Sequence, residues 1–166
     1  MGRRFSICTV LVGAILLSSV GVASAATTRV DTVKGAEVAY TSTQGTFTGY
    51  ADGDLPGTWA AVIDHTVLSP DATITGGTLT LLTLIHWLPT TVGGTFADGG
   101  TVTRVYQEAG CGVQRYAIKD KLVHVGVDGG SGTGDVSATL THHRRWILGR
   151  CIAYAATITG TVHLTF

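Results

Sequence analysis

Apolar and polar residues alternate one for one along the end of the chain. Ile152, Tyr154, Ala156, Ile158, Gly160, Val162, Leu164 and Phe166 fall in one phase, and small or polar residues from Cys151 to Thr165 fall in the other. A period of two is the signature of a β-strand with one face on a core. The same alternation runs through 58–68, with Trp59, Ala61, Ile63, His65 and Val67 in phase. Further runs rich in Thr, Val and Ile occupy 36–41, 45–51, 73–88, 91–97, 101–106, 113–118, 122–127 and 135–146. β-branched residues suit a pleated, half-buried surface. No amphipathic helical pattern follows residue 25.

Turn residues separate these runs. Residues 52–57 and Ser69-Pro70-Asp71 read as turns, and Gly76-Gly77 as a bulge inside a long strand. Asp98-Gly99-Gly100 reads as a hairpin turn, Lys119-Asp120-Lys121 as another turn, and 128–134 as a Gly-rich loop. The expected fold is all-β, a single antiparallel barrel of about eight strands over residues 26–166, with a β-sandwich as the alternative. Sequential hairpins with Gly bends, and the lack of a Cys…Trp…Cys core pattern, favour the barrel. Closure also removes sheet edges, which matters when only 13% of residues are charged.

Composition then narrows the class. The 166 residues carry 11 basic and 11 acidic side chains, so no basic face for nucleic acid is implied. With 45% hydrophobic residues the chain is not disordered. Residues 1–25 read as a cleaved secretory signal peptide: Arg3 and Arg4 precede an apolar stretch, and Ala23-Ser24-Ala25 has the small-x-small form of a cleavage site. The protein is therefore expected outside the cell. Two cysteines remain, Cys111 and Cys151, and an even count in an exported chain reads as one disulfide.

Some local motifs match known barrels. Gly57-Thr58-Trp59 resembles the Gly-x-Trp that opens lipocalin and avidin barrels. The run Gly132-Thr133-Gly134-Asp135-Val136-Ser137-Ala138-Thr139-Leu140-Thr141 resembles a strand start of the allene-oxide-cyclase-like barrel group, which includes the dirigent-like proteins. Thr73-Ile74-Thr75-Gly76-Gly77-Thr78-Leu79 resembles the Gly-turn-aliphatic strands of the same group. After Gly134 that group has an aromatic, whereas this chain has Asp135-Val136. The resemblance implies a small cavity-bearing barrel. Some members guide cyclisation or radical coupling and others have no known reaction, so no catalytic residue is carried over.

Chemistry-bearing residues are few. His65 falls on the apolar phase of its strand beside Asp64, which faces the other way. His65, Asp64 and Glu108 are candidate acid–base groups by residue type. Trp59, Trp87 and His65 are candidate ligand contacts at a barrel mouth. His142-His143-Arg144-Arg145 is a cationic cluster at a strand end; His143, Arg144 and Arg145 are suited to an anionic ligand or to plain solvation. No His-x-His or His-x-x-x-His spacing points to a metal, and no cofactor is implied. The expected function is a non-catalytic binding or interaction module for a small apolar or aromatic ligand. A cyclase- or isomerase-like enzyme, an outer-membrane barrel suggested by the terminal Phe166, and a structural surface protein are the alternatives. Few charges along the strands also point to self-association into a homo-oligomer.

Overall fold

The threonine- and valine-rich runs form nine strands in the computed structural model, which describes residues 26–127 and 129–166. Residues 1–25, expected to be a signal peptide, lie outside the described residues. The strands are β1 (Thr28–Tyr40), β2 (Gln44–Gly53), β3 (Gly57–His65), β4 (Ala72–Ile85), β5 (Leu88–Phe96), β6 (Thr101–Gln107), β7 (Gln114–Val127), β8 (Gly132–Ile147) and β9 (Arg150–Thr165). Each of β1 to β4 pairs antiparallel with the next, β5 pairs with β7, β7 with β8, β8 with β9, and β9 with β1. The ring closes on eight lanes, so the chain is a barrel and not a sandwich.

β6 is the extra strand. It pairs antiparallel with residues 114–119 of β7, while β5 pairs with residues 122–127 of the same strand. β5 and β6 thus run in the same direction, end to end in one lane. The expected hairpin at 98–100 does not form. Of these three residues only Gly99 has a positive φ, 100°, and a tight two-residue hairpin turn of type I′ needs two. Instead the loop is stitched across the gap: Ile74 N–H donates to the Gly100 carbonyl at 2.8 Å and Ala97 N–H to the Lys121 carbonyl at 2.9 Å.

Three other expectations change. Residues 119–121 are not a turn but the middle of β7, paired with Ser137, Val136 and Asp135 of β8. Lys119 and Lys121 point outward, and their charges mark a solvated wall. The 73–88 strand stops at Ile85, because His86 and Trp87 take positive φ (49° and 67°) and form the two-residue turn into β5. The strict alternation of β9 breaks at a bulge between His143 and Arg144 of β8, which leaves Tyr154 and Ala155 both outward. From Ala156 to Leu164 the expected phase holds and faces the core.

The barrel interior is filled at its middle. Phe47, Trp59, Ile63, Phe96, Ile118 and Ile158 interlock there, leaving voids of only about 20 and 10 Å³. Trp59 is the largest member. Its indole N–H is shared between the Tyr50 carbonyl (3.1 Å) and the Lys34 carbonyl (3.3 Å). The ring lies under β1, where a Cβ on Gly35 would come within 2.7 Å of it. Glycine is therefore required at that position by close approach.

A cup at one end of the barrel

The connections at 41–43, 66–71, 108–113 and 148–149 share one end of the barrel, and those at 54–56, 86–87 and 129–131 share the other. Above the apolar plug, the first end opens into a cup of about 480 Å³. This is within the size range of small-molecule sites. Its floor is Phe47, Ile63, Val102, Ile118 and Leu140. Its wall carries Glu37, Gln114, His142 and Arg144, the inward positions of β1, β7 and β8 one or two steps beyond the core. Period-two alternation produces this layer directly: Asp31, Val33, Gly35 and Glu37 share a phase, as do Ala138, Leu140, His142 and Arg144.

The polar groups of the wall engage one another. Glu37 Oε2 lies 3.3 Å from His142 Nε2, and the His142 ring meets Tyr116 edge-on at 5.4 Å. Tyr116 O–H donates to Gln114 Oε1 at 3.1 Å, and Gln114 Nε2 donates to Gln107 Oε1 at 3.2 Å. Burial pushes the Tyr116 phenol above its ordinary pKa against the opposing pull of Arg104 and Arg144, which keeps it a neutral donor. Arg144 Nε donates to the Gly112 carbonyl at 3.0 Å. Arg144 Nη2 is covered from water and has no acceptor among the described residues.

The Cys111–Cys151 disulfide forms as expected, with Cα atoms 5.5 Å apart. It ties the 108–113 loop to the start of β9 on the rim of the cup. Cys111 precedes Gly112, so the bridge also fixes the carbonyl that holds Arg144.

The structure distributes the candidate residues widely. His65 lines the cup, with Nδ1 donating to the Thr66 carbonyl at 2.7 Å. Asp64 faces the outer wall and accepts from Gln44 Nε2 at 2.7 Å. Glu108 closes its own loop by accepting from Val113 N–H at 2.9 Å. Trp59 is sealed in the core at 5% exposure, and Trp87 stands at the opposite end of the barrel at 91% exposure. The three proposed mouth contacts therefore do not meet. The cationic cluster is split too: His142 and Arg144 point in, while His143 and Arg145 point out onto Tyr154, with Arg145 Cζ 4.9 Å from its ring centre. Glu37 was not singled out because Val38 and Tyr40 form the apolar phase of the 36–41 run, whereas the structure turns those two outward and Glu37 inward.

A larger depression, about 700 Å³, lies along the lane break between β5 and β6. Lys119, Lys121, Asp98 and Asp135 line it with mixed charge and no apolar floor comparable to the cup's. Among the described residues no group of three or more His, Cys, Asp or Glu is placed to hold a metal. Comparisons with family models, curated proteins and solved structures give no match.

Proposed function

We propose that this protein is a secreted binding module that holds one small, mainly apolar or aromatic molecule in the cup. One observation carries the reading: a barrel plugged at its middle keeps an apolar-floored cup of about 480 Å³ open at one end only. Tyr40 and Val67, both well exposed, line its entrance and add apolar surface there. The disulfide is compatible with an oxidising, extracellular setting. On the outer wall, rows such as Thr28–Thr165–Thr133 and Thr32–Thr161–Ser137 run across β1, β9 and β8. Such a polar exterior around an apolar interior is the reverse of an outer-membrane barrel. Exposed apolar side chains at both ends leave room for self-association into a homo-oligomer.

Native mass spectrometry of protein purified from its natural source tests this reading. The expected result is one retained small molecule per chain, absent from an Ala153→Phe variant that narrows the cup. A chain that retains no mass and binds no apolar probe would move the reading to a structural or surface role.

A second reading, a cyclase- or isomerase-type enzyme of the kind the allene-oxide-cyclase-like resemblance implies, is favoured by the Glu37–His142 pair facing the cup. That pair supplies an acid and a base beside apolar walls. Turnover of a bound molecule that stops in Glu37→Gln without loss of binding would support it.

A further inference from the structure

The polar groups around the cup differ in what they have left to offer. Gln114 uses both its oxygen and its nitrogen within the wall. Tyr116 has spent its proton on Gln114. His65 has spent Nδ1 on Thr66. Glu37, the one carboxylate among the cup's lining residues, is engaged with His142. Two covered nitrogens are left over: His142 Nε2, which lies at ion-pair distance from Glu37 without a hydrogen bond, and Arg144 Nη2, which has no acceptor among the described residues while Arg144 Nε is held by Gly112. A guanidinium only donates and never loses its charge in a protein. A covered charged donor without an acceptor is costly, and a bound acceptor removes that cost.

From this we infer that the cup selects a small apolar molecule bearing one carboxylate, with the carboxylate on the Arg144 guanidinium and the apolar body on the Phe47, Ile63, Ile118 and Leu140 floor. The inference rests on the proposed reading that the cup is a ligand site. Arginine suits the task because its planar fork matches a carboxylate edge. The Nε bond to Gly112 fixes the plane of the fork, and the disulfide beside Gly112 holds that carbonyl in place. The outward Arg145, one residue on, has the same charge but spends it on Tyr154.

Two probes of equal shape separate the inference from the reading beneath it: naphthalene-2-carboxylate and naphthalene-2-carboxamide, titrated calorimetrically into the disulfide-bonded protein at neutral pH. The expected result is that the carboxylate binds about ten-fold or more tighter than the amide, as a charge-assisted bond gives. Arg144→Gln is expected to abolish that preference while leaving amide binding in place, and Arg145→Gln to retain it. If Arg144→Gln does not fold, Arg144→Lys substitutes for it, and the preference should fall because the fork is lost. Equal binding of the two probes, or a preference that survives in the Arg144 variants, overturns the carboxylate inference and leaves the cup as a site for neutral ligands. Failure of both probes to bind overturns the inference and the ligand-site reading together.

Discussion

Two tryptophans show how position outranks residue type. Trp59 fills the barrel and bonds two carbonyls, whereas Trp87 occupies the second place of a two-residue turn with φ of 67°. Trp59→Ala should cost about 3–5 kcal/mol in chemical denaturation, as for large core truncations. Trp87→Ala should stay within about 0.5 kcal/mol, the range of exposed sites. Two buried carboxylates carry a pH signature. Asp31, 1% exposed, accepts from Leu55 N–H at 2.7 Å through Oδ1, and its Oδ2 has no partner among the described residues. Burial pushes its carboxyl above the ordinary value of 3.8, against the pull of that hydrogen bond; burial acts likewise on Asp120. A raised folded-state pKa favours the protonated form, so the associated stability is full below about 3.8 and is lost as pH rises through the folded-state value. Denaturation midpoints measured upward from mildly acid pH should therefore fall. Asp31→Asn, which keeps an acceptor for Leu55 without the charge, should flatten that slope.

At the scale of the strand, sequence pattern was legible wherever alternation met no bulge. The inward phase of β3 through Trp59, Ala61 and Ile63 and that of β9 from Ala156 onward both follow from period two. What escaped were departures from it. His124, with φ of 55°, adds a residue within β7, and the β8–β9 bulge turns Tyr154 outward. A bulge depends on the partner strand as much as on its own residues, so one strand's sequence does not disclose it. The same limit hid the site. Whether Arg144 or Arg145 faces inward is decided by local phase, and in the 36–41 run Val38 and Tyr40, not Glu37, form the apolar phase that the structure turns outward. The disulfide was legible from count alone, and it acts at this scale by pinning the 108–113 loop to β9. Its reduction should lower stability by about 3–4 kcal/mol for a closed loop of this length. Reduction should also erode carboxylate-over-amide preference more than amide affinity, because Gly112 no longer fixes Arg144.

At the scale of the whole molecule, the barrel sets the division of labour. Eight lanes give an interior just wide enough for side chains or one small ligand, and this chain uses both options at different heights. The middle is plugged by apolar side chains, so among the described residues no channel connects the two ends. The end bearing His86 and Trp87 closes with tight connections. The other end carries the longer loops, the disulfide and the inward layer of Glu37, Gln114, His142 and Arg144. An asymmetric barrel of this kind has one natural place for a ligand.

The most direct test of that claim locates the ligand on the molecule. Backbone amide shifts of the labelled protein, followed by NMR as naphthalene-2-carboxylate is added, should move at Phe47, Ile63, Ile118, Leu140 and Ala153. They should stay still at Ala51, Leu81 and Leu164, near the far end of the barrel. Shifts confined to the outer wall or to the His86–Trp87 end, or none at saturating probe, would contradict the account.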